Sequence, residues 1–254
     1  MTIPTTHPRY KSLATRERLA AMAAEGVVAP TGLIAHGRGE AFDYLLGERT
    51  QPFAEEAALA AAAALLLARR PVLCVNGNVG ALAAAEMVAL SQAVPATLEV
   101  NLFHRTEARV AKIASLLRDA GAQRVVGERP DATIPGLASD RAASSVAGSY
   151  GADVVLVPLE DGDRAGALAA MGKMVICIDL NPLSRTARTA GITIVDELTR
   201  AVPLLTHAVA TLKPAGAEEK LALLKAYDNG RVLAQSLEFL AQRLQGLARA
   251  EGRT

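Results

Sequence analysis

Polar side chains gather where short apolar runs end. The run 72–75 leads into Asn76-Gly77-Asn78 and then straight into a stretch of helical spacing. A glycine turn feeding a helix start offers unpaired N–H groups and a partial positive charge, which together suit an anion. The local pattern favours the plainer role, in which Asn76 or Asn78 caps the helix. The run 98–101 closes on Asn101, and Thr106 as a cap would leave His104 and Arg105 on the intervening loop. An arginine there is either a solvated surface group or a fork that takes two oxygens of a phosphate or carboxylate. The run 154–158 opens on Glu160, Asp161, Asp163 and Arg164. Such carboxylates can hold magnesium beside substrate phosphates, or simply favour the positive end of a helix. After 175–179 come Asp179, Leu180, Asn181, Ser184 and Arg185. An acid at that point often binds ribose hydroxyls, and Asn181-Pro182 forces a turn that presents a hydroxyl and a cation. The last run, 192–195, ends on Asp196. Upstream, His36-Gly37-Arg38-Gly39-Glu40 sets an arginine between glycines, so the backbone can approach a ligand closely. It is not a G-x-G-x-x-G fingerprint, because Phe42 stands where the last glycine belongs. No Walker A lysine, Gly-x-Ser-x-Gly elbow, Cys-His pair or metal-spaced histidine set occurs.

The runs that deliver these groups are apolar on consecutive residues, which marks strands covered on both faces. They lie at 72–76, 98–101, 124–126, 154–158, 175–179 and 192–195, with helical stretches at 79–93, 106–120 and 164–171. Strands alternating with helices predict a Rossmann-like α/β core with a mostly parallel sheet and helices on both faces. In such a sheet ligands bind beyond the carboxyl ends of the strands, where the polar residues above sit. The expected organisation is a single domain over 1–254: an N-terminal helical and HGRGE segment (1–70), the core (71–212) and C-terminal helices (213–254). In the first part, helices near 15–25 and 55–69 flank a glycine-punctuated segment. Near the C-terminus Leu233, Leu237, Leu240, Leu244 and Leu247 step by four, three, four and three. That seam either packs on its own domain or forms a homodimer interface. The aperiodic, Pro-, Gly- and Ser-rich stretch 129–152 is expected to be disordered or a partner contact.

Composition excludes other classes. The chain has 254 residues, 51% of them apolar and 21% charged, enough for a real core and too apolar for general disorder. A net charge of +1 gives no reason to expect nucleic acid or an anionic membrane surface. The longest apolar stretch, residues 57–68, is too short to span a bilayer, and its acidic and basic flanks suit a soluble helix. Cys74 and Cys177 sit inside apolar runs, as small buried hydrophobes in a reducing compartment would, and the N-terminus lacks a secretory h-region. A cytoplasmic location is expected.

The runs HPRYKSL, GLIAHGRGEAFDYLLGERT, VNGNVGAL, EVNLFHRTEAR, IPGL, VPLEDGDR, DLNPLSRTAR and ITIVDE resemble, in order and spacing, the archaeal phosphopantothenate synthetase family. That family is also called 4-phosphopantoate–β-alanine ligase. The likeness reaches from His7 to about residue 230, and the alanine-rich helix, the loop 137–152 and the extreme C-terminus lie outside the shared pattern. It implies ATP-dependent condensation of 4-phosphopantoate with β-alanine to 4'-phosphopantothenate, AMP and diphosphate. A phosphopantoyl adenylate, magnesium, a homodimer and a place in coenzyme A biosynthesis are implied with it. Carried over, Arg16, Arg38, Asp179, Leu180, Asn181, Ser184, Arg185, Ile194, Val195 and Asp196 would contact ATP. Arg38 and Arg185 would be the catalytic cations, because charge at the adenylating phosphorus must be met by groups fixed beforehand. From their strand-end positions, His36, Asn76, Asn78, Asn101, Arg105, Asp161, Asp163 and Arg164 are expected to bind substrate; the metal ligands are not assigned. A nucleotide-sensing module without catalysis is the alternative. A nicotinamide oxidoreductase is disfavoured by the missing glycine fingerprint.

Overall fold

The computed structural model describes residues 3–252. Three helices come first: α1 (Tyr10–Ala24), α2 (Pro30–Leu46) and α3 (Pro52–Leu67). The core then runs β1 (Pro71–Val75), α4 (Gly77–Ala93), β2 (Thr97–Val100), α5 (Glu107–Asp119) and β3 (Val125–Val126). A small excursion, β4 (Ala132–Thr133) and β5 (Ala143–Ser144), precedes β6 (Val154–Pro158), α6 (Gly162–Ala170), β7 (Met174–Ile178), α7 (Arg185–Thr189) and β8 (Ile192–Ile194). Helices α8 (Leu198–Leu212), α9 (Ala217–Ala226) and α10 (Asn229–Glu251) complete the chain.

The main sheet has six strands in the order β3-β2-β1-β6-β7-β8, and every pairing in it is parallel. Each residue of β1, β2, β6 and β8 is buried, as strands covered on both faces require. This is the doubly wound Rossmann order. The chain winds outward from β1 to β3, then returns to the centre and winds the other way from β6. The reversal falls between β1 and β6, where a crevice opens at the carboxyl ends.

Alanine makes α3 a core element. Ten of its residues are buried, eight of them alanine, and it packs against α8, α9 and β8. Its apolar run was expected to end in a basic turn, but the helix stops at Leu67 and no basic residue lies in its last turn. Arg69 and Arg70 fall beyond it, and their N–H groups donate to the Asp153 carboxylate.

The glycine-punctuated segment is a helix. Pro30 starts α2, and Gly47 ends it in the left-handed conformation at φ +86°. Residues 129–152 are ordered in this fold, against the expected disorder. The segment folds through a β4–β5 hairpin and wraps Glu99, whose carboxylate accepts from Ser144 Oγ and from the Ser145 and Ser149 N–H groups, each at 2.9 Å. A buried carboxylate needs such donors, and serine-rich backbone supplies them without period. The leucine seam divides: Leu233 and Leu240 face the core, whereas Leu237, Leu244 and Leu247 are exposed. Among the described residues, no helix is long and apolar enough to cross a membrane.

Candidate active site

A cavity of about 1100 Å³ opens at the β1/β6 reversal. Its floor is the pair of turns after those strands. Asn76 serves two purposes there: its Oδ1 accepts from the Val79 N–H as the cap of α4, and its Nδ2 donates to the carbonyls of Pro158 and Leu159, both at 3.1 Å. The two turns are thereby stitched across the crevice. Leu159 carries φ +52°, a strained value for a branched residue, at a point where it lines the cavity. Asn78 is buried and donates to Gly32 O at 2.9 Å, fastening α2 to the start of α4.

Helix α2 forms the opposite wall with His36, Arg38, Gly39, Glu40 and Asp43. Arg38 is exposed and makes no hydrogen bond or ion pair among the described residues. Glu40 is engaged: Ser12 Oγ donates to it at 2.5 Å and Arg16 Nη2 at 2.7 Å. Burial disfavours the Glu40 carboxylate, but those donors and the Arg16 charge more than offset it, so its pKa lies below the usual range. His36 Nε2 is buried without a partner. Burial, aided by the Arg16 charge and opposed by Glu40, pulls its pKa below the ordinary histidine value and keeps the ring neutral at pH 7. Arg200 of α8 anchors this wall to the sheet, bridging Asp43 at 2.5 Å and Asp196 at 2.7 Å, while Thr50 Oγ1 donates to Asp196 at 2.6 Å.

A chain of buried charge lies behind the floor. Arg164 is fully buried, with Nη1 2.7 Å from Glu160 Oε2 and Nη2 3.0 Å from Ser149 Oγ. Glu99 Oε2 is 3.6 Å from the same guanidinium. Arg141, nine-tenths buried, continues the chain: it lies 3.0 Å from Glu160 Oε1 and 3.2 Å from Asp161 Oδ2. Asp161 caps α6 through its other oxygen, which accepts from Arg164 N at 2.9 Å.

The structure thus brings His36, Arg38, Asn76, Asn78, Asp161 and Leu180 together around one cavity. Others stand elsewhere. Arg164 is sealed in the ion chain, and Asn101 is buried against the carbonyls of Arg141 and Ala143. Arg105 is turned outward to the carbonyls of Gly127, at 2.6 Å, and Glu128. Asp163 pairs with Arg185 at 2.6 Å, both largely exposed. Glu160, Asp161 and Asp163 therefore do not converge as a magnesium cage, and no group of three metal-binding side chains occurs among the described residues. Magnesium would take its ligands from a nucleotide's own phosphates, with at most a carboxylate or two.

Asp179 and Ser184 lie at the ends of β7 and α7, beside the cavity. The Asp179 carboxylate accepts from the Asn181 N–H at 2.9 Å and from Ser184 Oγ, while Ser184 also caps α7. Burial raises the Asp179 pKa, against the effect of these donors and of the Arg38 charge. Asp196 and Val195 are buried at the end of β8. Sequence reasoning missed Arg109, Arg141, Asp43 and Arg200, which all line the cavity. Arg109 and Arg200 stand in the first turns of α5 and α8, Asp43 in the last turn of α2 and Arg141 in the aperiodic segment, and none of them follows directly on a strand end, the position that marks a site in the sequence.

A doubly wound parallel sheet whose reversal point opens on guanidinium groups, carboxylates and a helix N-terminus defines a Rossmann-like protein with a cleft suited to a small polar ligand. The profile of the phosphopantothenate/pantothenate synthetase family matches residues 53–243. The 4-phosphopantoate–β-alanine ligase of Methanosarcina mazei is 50% identical over 250 residues, covering 98% of each chain. Those of Thermococcus kodakarensis (51% over 247 residues, 97% of this chain and 95% of that one) and Methanospirillum hungatei (49% over 242, 95% and 98%) are similar to the same extent. The chain belongs to the phosphopantothenate/pantothenate synthetase family.

Proposed function

We propose that this chain is an AMP-forming ligase that condenses 4-phosphopantoate with β-alanine to 4'-phosphopantothenate, with ATP and magnesium, in the cytoplasmic route to coenzyme A. One observation carries the reading: near-complete coverage at about half identity by relatives that all bear the same ligase name. A carboxylate resists attack by an amine until one of its oxygens becomes a leaving group. In the first step that oxygen attacks the α-phosphorus of ATP, and the bond to the β-phosphate breaks to release diphosphate. In the second step the amine of β-alanine attacks the acyl carbon and AMP departs with the oxygen it gained; the nitrogen, which arrives as an ammonium, gives up two protons to solvent and keeps one as the amide N–H.

Arg38 is the cation for the first step. It reaches the cavity with no internal partner to surrender, so bound phosphates can fix it in place before charge grows at phosphorus. Asp179, Leu180, Asn181, Ser184, Arg185 and the Ile194–Asp196 strand end make the nucleotide side, with Asp179 toward the ribose. Arg16 acts through Glu40, which it holds on the cleft wall. Asp161 takes the ammonium of β-alanine: it lines the cavity beside one arginine, and its chain of three carboxylates (Glu99, Glu160, Asp161) and two arginines (Arg141, Arg164) carries one excess negative charge. Holding the acyl adenylate and the amine side by side supplies much of the remaining acceleration. The exposed Leu237, Leu244 and Leu247 on α10 fit a homodimer contact.

The test is isotopic. With the 4-phosphopantoate carboxylate labelled with ¹⁸O, an adenylate route delivers one labelled oxygen to AMP. Label in inorganic phosphate instead would mean an acyl phosphate and refute the adenylate.

A further inference from the structure

Five arginines line the cavity, and they differ in what neutralises them. Arg200 and Arg141 are held by carboxylates, Arg9 donates to Tyr44 Oη, and Arg38 is exposed. Arg109 alone is half-buried with no carboxylate partner among the described residues. Its Nη2 donates to Val27 O at 3.0 Å, its Nη1 donates to His104 O, and its Nε is buried with no partner. Those carbonyls fix the guanidinium in place but leave its charge uncompensated. Burial and the nearby Arg141 charge both lower its pKa, as two cations facing one cavity must.

The group also stands at the opening of α4. A Cβ on Gly77 would lie 3.1 Å from Arg109 Nη2 and 2.6 Å from Val27 O, so only glycine lets the guanidinium, the 27–28 turn and the helix start meet. The Gly77 and Asn78 N–H groups make no hydrogen bond among the described residues, and both residues line the cavity. A fixed, half-buried, unneutralised guanidinium beside two free N–H groups and a positive helix end is complementary to a compact dianion.

We infer that Arg109 and the first turn of α4 seat the phosphate monoester of the acyl substrate. The inference rests on the ligase reading above only for the identity of that substrate. Strand order separates this seat from the nucleotide side: Arg109 follows β2, on the β1 side of the reversal, whereas Asp179 and Ser184 follow β7, on the β6 side. Placed so, the acyl substrate reaches across the reversal toward the α-phosphate of ATP, and a substrate lacking its phosphate loses its anchor.

The experiment is calorimetric titration of wild type, Arg109→Met and Arg109→Lys with 4-phosphopantoate, pantoate and ATP separately. Arg109→Met is expected to weaken 4-phosphopantoate by about 10- to 100-fold, the loss of one charged hydrogen-bonding partner. ATP and pantoate should bind it as they bind wild type, and Arg109→Lys should fall between the two. Weakened ATP with unchanged 4-phosphopantoate would assign the seat to the nucleotide and overturn the inference. Unchanged binding of both, or equal losses in the Lys and Met variants, would make Arg109 structural and overturn it as well. If wild type binds no 4-phosphopantoate, the ligase reading fails. The seat is then tested with inorganic phosphate: a ³¹P shift on wild type that Arg109→Met abolishes upholds it, and no shift on wild type refutes it.

Discussion

Replacing Arg164 by methionine separates a structural arginine from a ligand-binding one. The side chain is fully buried between Glu160 and Glu99, each about 1% exposed, and reaches no cavity surface. Methionine fills much of the same volume but leaves two buried carboxylates with one fewer cation. Breaking a buried pair from one side costs about 3–5 kcal/mol. For a chain of this size each kcal/mol moves Tm by about 2–4 °C, so a fall on the order of 10 °C is expected. The assay is thermal unfolding followed by circular dichroism, read beside the Kd for 4-phosphopantoate at a temperature where the variant is folded. The Kd should change little. Converting Glu99 and Glu160 to glutamine in the same chain should recover much of the lost Tm, because the neutral set no longer buries unpaired charge. A Tm within about 2 °C of wild type, with 4-phosphopantoate binding lost, would refute this reasoning and return Arg164 to the substrate.

Arg38→Ala should do the reverse: activity lost, with stability inside the roughly ±0.5 kcal/mol of an exposed substitution, checked by turnover and Tm on one preparation. His36 should titrate below its ordinary pKa of about 6.5 when its ring protons are followed by NMR. Its folded pKa is depressed, so its contribution to stability is present above the unfolded pKa and is lost as pH falls through the folded one. Wild type should therefore lose Tm relative to His36→Gln on acidification below pH 6.5, and a midpoint above that value contradicts the burial argument. Gly77→Ala should destabilise by about 1–3 kcal/mol, since its Cβ would meet backbone at Val27 O, and a neutral change in urea unfolding would count against that close approach. Leu244→Glu should convert a dimer to a monomer in sedimentation; an unaltered oligomer would remove α10 from the interface.

The sheet was legible because its strands are continuous apolar runs, and a parallel sheet reads that way whatever its loops do. The crevice was legible in outline for the same reason: once β1 and β6 are known to be neighbours, Asn76 and Asp161 must face each other across it. Which arginine does what was not legible. Arg105 lies just before α5 and Arg109 in its first turn, four residues apart, and only the fold shows one spent on the carbonyls of 127–128 and the other turned into the cavity. Arg164 was expected to bind substrate because its partner Glu99 is supplied from another strand, far away in sequence. The segment 129–152 looked disordered because its order comes from side-chain donors to one buried carboxylate, which leaves no periodicity to read. The α2 segment was obscured by its own glycines, whose cost in a helix is offset by packing on α4 and α10.

The most direct measurement is product analysis. The purified chain is incubated with magnesium, ATP, 4-phosphopantoate and β-alanine, and the nucleotides are separated. AMP and diphosphate formed in equal amounts, and only when 4-phosphopantoate is present, are the predicted result. ADP and phosphate, or no turnover despite bound ATP, would contradict the account.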